Sequence, residues 1–229
     1  MKVFVTGGAG LIGSHVVRKL LSDGNNVVAL DNLSTGQYEH IPDGVTFWQE
    51  DIRSAVVRER IVDGHFDAIV HLAAQILVSA SIRDPYFDAD ENIMGLVNVL
   101  EGARAGGVRR VIFPSSAAVY GDVAESQLPL TGDTPLAPLS FYGLTKEMSE
   151  RYLELYHRHY GLEYIVLRFA NVCGERQGDK GEGDIYRSCL SRAKAQEGLG
   201  WEPCCSLKEG LRKTLDYFVH KNHKQQLLK

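Results

Sequence analysis

The sequence predicts an α/β fold: a doubly wound parallel sheet followed by a small helical region at the C-terminal end. Three observations predict it. Short β-branched runs alternate with amphipathic stretches as far as Phe169. Those runs are nearly continuous apolar segments rather than in-out alternations, as a parallel sheet covered on both faces requires. A glycine cluster follows the first run, where a strand would have to turn sharply into a helix.

In chain order the strands are read at Lys2–Thr6, Val27–Asp31, Val45–Trp48, Ala68–Leu72, Arg110–Pro114 and Tyr164–Phe169. Helical patterns fill most of the gaps. Two of them, Pro85–Arg104 and Ser140–Tyr160, carry apolar residues on more than one face, so each should pack against two neighbours. After Asn171 the texture changes, because Glu175–Asp184 is a glycine-rich, charged stretch without apolar periodicity. The division expected is a first domain over residues 1–174 and a smaller unit over 175–229. In the latter, Ser206 and Glu209 have capping-box spacing, and Leu207, Leu211, Leu215 and Phe218 form a stripe at helical spacing. That helix must pack on something, whereas His220 to Lys229 reads as a solvated tail.

Composition narrows the function. With 44% apolar residues and a net charge of −4, the chain can bury a core and offers no basic stripe to nucleic acid. A small-molecule ligand is expected instead. The first residues lack the pattern of a signal peptide, and no stretch is long and apolar enough to span a bilayer. Cys173, Cys189, Cys204 and Cys205 lack metal-ligand spacing, and the adjacent pair is poorly placed for an ordinary disulfide. A cytoplasmic protein without a metal is the expectation.

The glycine cluster carries the first chemical signal. Gly7, Gly8, Gly10 and Gly13 satisfy both G-x-G-x-x-G and G-x-x-G-x-x-G spacing between the first strand and a helix starting near Leu11. Without side chains the backbone can approach a pyrophosphate, and the helix N-terminus stabilises its charge. A plain strand-to-helix turn would use the same glycines. Asp31, at the end of the second strand, could accept hydrogen bonds from both hydroxyls of an adenosine ribose and would repel a 2′-phosphate. Neither Asn32 nor Leu33 offers a cation, so NAD is favoured over NADP. Asp31 could alternatively cap a surface loop.

Tyr142 and Lys146 lie four apart in a helical stretch and project from one face. Ser115 and Ser116 end the fifth strand, where ligands of open α/β sheets bind, although a serine pair could also be a structural strand end.

Taken together, GGAGLIGS, Asp31, Asp51-Ile52, HLAAQ at His71–Gln75, SSAAVYG at Ser115–Gly121, YGLTK at Tyr142–Lys146 and RFANVCG at Arg168–Gly174 resemble the extended short-chain dehydrogenase/reductase family. Within it, SSAAVYG is most similar to UDP-glucose 4-epimerases; nucleotide-sugar dehydratases usually carry an Asp-Glu pair where this chain has Ala117-Ala118. The resemblance implies a Rossmann-type NAD-binding domain. In it Gly7, Gly10, Leu11, Ile12 and Gly13 hold the pyrophosphate, and Asp31 and Asn32 lie at the ribose. Asp51 and Ile52 border the adenine, and Leu72, Ala73, Ala74 and Gln75 run beside the cofactor. Apolar members of this set could equally be core residues, and Asp51 a turn residue.

It implies that Lys146 holds the nicotinamide ribose, that Tyr142 is the general base, and that Ser116 holds the sugar 4-hydroxyl. A phenol near pKa 10 needs adjacent positive charge to serve as a base at neutral pH. The outcome would be epimerisation of a UDP-sugar at C4 through a transient 4-keto sugar. Asn171 would contact the nucleotide diphosphate, Cys173 would be a small buried residue, and the helices at Pro85–Arg104 and Ser140–Tyr160 would form a homodimer.

The resemblance also implies a gap. Gly183–Pro203 resembles the family's C-terminal region but arrives several dozen residues early, and Gly181 stands where the family has a nucleotide-binding Arg. Only Asp184 and Arg187 remain of that group. Two readings stay open: an epimerase with a rebuilt substrate pocket, or a non-catalytic NAD-binding remnant.

Overall fold

The computed structural model describes residues 1–177 and 188–227, so Gly181, Asp184 and Arg187 lie outside the described residues. Strands β1 (Lys2–Thr6), β2 (Asn26–Asp31), β3 (Thr46–Gln49), β4 (Ala68–His71), β5 (Arg110–Ser116) and β6 (Glu163–Phe169) pair entirely in parallel. Their order is β3-β2-β1-β4-β5-β6. The order reverses between β1 and β4, so a crevice opens beyond the C-terminal ends of those two strands.

Side-chain alternation along β1 builds a core on each face of the sheet. Phe4 points to one face, with Ile69, Val111, Phe113, Leu96, Leu100 and Leu153. Val3 and Val5 point to the other, with Val17, Val27 and Ala29. The helices supplying these layers are α1 (Leu11–Ser22), α2 (Ala55–Gly64), α3 (Val78–Arg83), α4 (Pro85–Ala89), α5 (Gly95–Ala105) and α6 (Phe141–Tyr160). The amphipathic stretch at Pro85–Arg104 is therefore two helices, joined through a widened π turn at Asp90–Met94. Ser140 caps α6 by accepting from Gly143 N at 3.0 Å, and Gly161 ends it at φ 73°.

Near the C-terminal end, α7 (Ala193–Leu199) precedes α8 (Leu207–Leu227). The capping box forms: Ser206 N donates to Glu209 Oε2 at 2.8 Å, and Glu209 N donates to Ser206 Oγ at 3.3 Å. The stripe expected to be buried is not. Leu207, Leu211 and Leu215 are exposed, and only Phe218 turns inward. Cys173, read as buried, is exposed. On the outer face of α3 to α6, Ile82, Tyr86, Met94, Phe141, Leu144 and Met148 are exposed, so these helices do not bury both faces within the monomer. Among the described residues, no helix is long and apolar enough to cross a membrane.

Candidate active site

The crevice at the strand ends has a volume of about 730 Å³, within the range of small-molecule sites. Its floor is the turn from β1 into α1. Gly7 adopts φ 67°, and a Cβ there would stand 2.7 Å from Ala73 N. A Cβ on Gly13 would stand 1.9 Å from Gly7 O, so a side chain at either position would force the loop away from its neighbours. The first turn of α1 has no side-chain cap and no acidic residue, which leaves its N–H groups facing the crevice for an anion. Gly7, Gly10, Leu11, Ile12 and Gly13 all line it.

Asp31 ends β2 and is 7% exposed. Its Oδ2 accepts from Ala9 N at 3.0 Å and its Oδ1 from Leu33 N at 2.8 Å, which holds Leu33 in the left-handed region at φ 60°. Each oxygen keeps acceptor capacity toward the crevice, which Asp31 and Asn32 both line. A glycine cradle, an uncapped helix N-terminus and a strand-end carboxylate together fit a dinucleotide pyrophosphate and its ribose.

Two residues of the expected set do not wall the crevice. Asp51 is turned to Arg53, which donates from Nε at 2.9 Å and Nη2 at 2.7 Å, while Arg53 also pairs with Asp90 and Glu91. Those bonds hold the Asp51 carboxyl at about 2. Its neighbour Ile52 reaches the wall. Gln75 likewise turns inward, donating from Nε2 to Asp88 Oδ1 at 2.7 Å, whereas Leu72, Ala73, Ala74, Ile76 and Leu77 form the wall.

Tyr142, Lys146, Ser115, Ser116 and Asn171 meet at the opposite wall. Capping by Ser140 starts α6 at Phe141, so Tyr142 and Lys146, one turn apart, share one face of it. Lys146 Nζ donates to Pro114 O at 3.2 Å and lies 4.8 Å from the Phe113 ring centroid and 5.8 Å from that of Tyr142. Burial lowers the Lys146 ammonium to about 8, opposed by the charge of Asp88. Ser116 Oγ accepts from Ala118 N at 3.1 Å, which leaves its proton to donate. Ser115 Oγ is buried without a hydrogen-bond partner among the described residues.

The crevice also recruits residues that sequence reasoning did not select. His40 joins from the loop after β2, its Nδ1 within 2.9 Å of Ala9 O. Arg176 donates from Nη1 to Ser14 Oγ at 2.9 Å, at the first turn of α1, and Phe218 of α8 also lines the cavity. Both lie far along the chain from the glycine loop, so no local spacing could have linked them to it.

Comparison with known proteins places this geometry. Residues 3–214 match the model of the NAD dependent epimerase/dehydratase family. UDP-glucose 4-epimerase of Mycolicibacterium smegmatis is 40% identical over 314 aligned positions, covering 97% of this chain and all of that protein. Against relatives from Methanocaldococcus jannaschii and Lactobacillus helveticus, 44% and 41% identical, the match covers 80% and 76% of this chain but spans only 60% and 52% of their lengths. Among solved structures, UDP-glucose 4-epimerase of Thermotoga maritima with UDP-glucose aligns at TM-score 0.91 and 31% identity, covering 96% of this chain and 99% of that one. The Thermus thermophilus UDP-glucose 4-epimerase in complex with NAD aligns at 0.90 and 30%, with the same coverage. A family match over most of the chain agrees with the cradle, carboxylate and Tyr-Lys wall found in one crevice: the chain belongs to the NAD dependent epimerase/dehydratase family.

Proposed function

We propose that the chain is an NAD-dependent isomerase that epimerises a UDP-sugar at C4. The observation that carries this reading is the convergence of Tyr142, Lys146 and Ser116 on the crevice formed by the glycine cradle and Asp31. The α1 N-terminus would hold the dinucleotide pyrophosphate, Asp31 the adenosine ribose and Lys146 the nicotinamide ribose. NAD, when bound, supplies the hydride acceptor and donor that this reaction class needs. Tyr142 removes the proton of the sugar 4-hydroxyl, its acidity raised by the Lys146 charge, and Ser116 Oγ donates to the sugar oxygen. Asn171, which lines the crevice, would contact the nucleotide diphosphate.

The NAD-containing domain spans 1–174 in this reading, and 175–229 is a shortened substrate region. An alignment of 314 positions onto a 229-residue chain opens gaps in this chain, which supports an internal stretch being absent relative to the Mycolicibacterium smegmatis protein. The same observation favours a second reading, a NAD-binding remnant without turnover. Incubating the purified protein with NAD and UDP-glucose or UDP-galactose separates the two. Interconversion of the sugars, with transient NADH fluorescence, is expected; NAD binding without either signal would establish the remnant.

The exposed apolar face of α3 to α6 supports a homodimer, which light scattering should detect; a monomeric mass would refute it. Four free cysteines support a cytoplasmic setting.

A further inference from the structure

Behind the crevice wall lies a carboxylate that the proposed chemistry does not use. Asp88 is fully buried, on α4, and does not line the crevice. Three neutral donors converge on it. Gln75 Nε2 lies 2.7 Å and Asn92 Nδ2 3.1 Å from its Oδ1, and Thr145 Oγ1 lies 3.0 Å from its Oδ2. Gln75 N in turn donates to Asn92 Oδ1 at 2.9 Å, and Leu77 N donates to Gln75 Oε1. Gln75 and Asn92 present N–H groups to Oδ1, which favours the ionised form there, whereas the Thr145 hydroxyl also lies 3.0 Å from Tyr142 O and can either donate to Oδ2 or accept from it. Burial pushes the Asp88 carboxyl up, and the bonds from Gln75 and Thr145 and the charge of Lys146 act against that rise.

The titratable groups around the Lys146 ammonium come from three elements. His71, from β4, is buried and neutral, its imidazole lowered to about 3. Tyr142 is one turn earlier on α6. From α4 comes Asp88, whose charge opposes the effect of burial on Lys146. In the adjoining π turn, Glu91 and Asp90 pair with Arg53 instead.

We infer that Asp88 is a positioning residue for Lys146: its hydrogen bonds to Gln75, Asn92 and Thr145 tie the turn of α6 that carries Lys146 to the loop that forms the facing wall, and set a buried carboxylate beside that turn. The inference extends the proposed function, since it assigns the source of the charge on which Tyr142 depends. It requires no contact between Asp88 and substrate.

The test reads the Lys146 titration directly, without turnover. Competitive acetylation of the cofactor-free protein by acetic anhydride across a pH series, followed by peptide mass spectrometry, gives the protonation midpoint of Lys146. Asp88→Asn should lower that midpoint by about one pH unit or more. Asp88→Asn/Asn92→Asp, which moves the carboxylate one helical turn, should restore most of it. Asp88→Ser, which removes the charge and leaves room for water, gives the same reading if the amide does not fold. An unchanged midpoint in a folded, charge-deleted variant overturns the inference, as does loss of NAD affinity without a change in midpoint. If Asp88→Asn shows the shift while wild-type protein shows no sugar interconversion, the epimerase reading fails and the electrostatic link stands.

Discussion

Removing the Asp31 side chain separates its structural role from its ligand role. In Asp31→Ala, Ala9 N and Leu33 N lose their acceptors, and Ala9 is fully buried. A hydrogen bond to a charged group contributes about 1.5–3 kcal/mol, and a left-handed Leu33 released from its restraint would relax by about 1 kcal/mol. The cofactor-free protein should therefore lose about 2–5 kcal/mol, a fall in Tm of roughly 10 °C for a chain of this length. If the carboxylate also accepts from two ribose hydroxyls, NAD binding loses about 3 kcal/mol more, so Kd rises by roughly a hundredfold or more. Differential scanning fluorimetry and calorimetric titration with NAD measure the two effects. Asp31→Asn keeps one acceptor oxygen and should fall between wild type and Asp31→Ala in both. A variant that melts within about 2 °C of wild type and binds NAD within about threefold would refute the reasoning.

Three other outcomes are expected. Tyr142→Phe removes only a hydroxyl and should abolish sugar interconversion while leaving NAD affinity within about threefold of wild type; substantial turnover would remove Tyr142 as the base. Gly13→Ala places a Cβ 1.9 Å from Gly7 O, so NAD titration should show affinity lost with the fold retained by circular dichroism. His71, ordinarily near 6.5, is lowered to about 3 by burial and by Lys146. The unfolded chain therefore takes up a proton below 6.5 that the folded chain refuses, and stability falls as pH drops toward 3 by about 1.4 kcal/mol per pH unit. His71→Asn should flatten that slope in urea unfolding followed over a pH series, and an unaltered slope would show that other groups set it.

Much of this architecture was legible because the parallel sheet writes itself as apolar runs. Lys2–Thr6 matches β1 at both ends, and the other five strands differ from their sequence boundaries by one or two residues. The cradle was legible for a local reason: glycines, strand and helix lie within one short stretch. Side-chain direction was not. Asp51 and Gln75 follow strand ends that suit a cofactor, yet Asp51 is held by Arg53, itself paired with Asp90, and Gln75 is drawn inward by Asp88, partners that no local spacing announces. The α8 stripe misled for a different reason. Helical periodicity shows which residues share a face, but not whether a second surface covers that face. Leu207 and Leu215, 74% and 63% exposed, have none among the described residues.

The π turn at Asp90–Met94 works as a phase adapter. One extra residue in a helical turn rotates everything after it by about 100° relative to what precedes it. Before and within that turn, Asp88 and Asn92 address Thr145 on α6, while after it Leu96, Val99 and Leu100 address the sheet and α2. A continuous α-helix could not serve both neighbours with the same residues. Pro85–Ala105 should therefore be treated as two helices sharing an axis. Any grafting, heptad-based redesign or helix-stapling scheme that carries one register across Asp90–Met94 would turn either the buried polar cluster or the apolar core face toward the wrong neighbour.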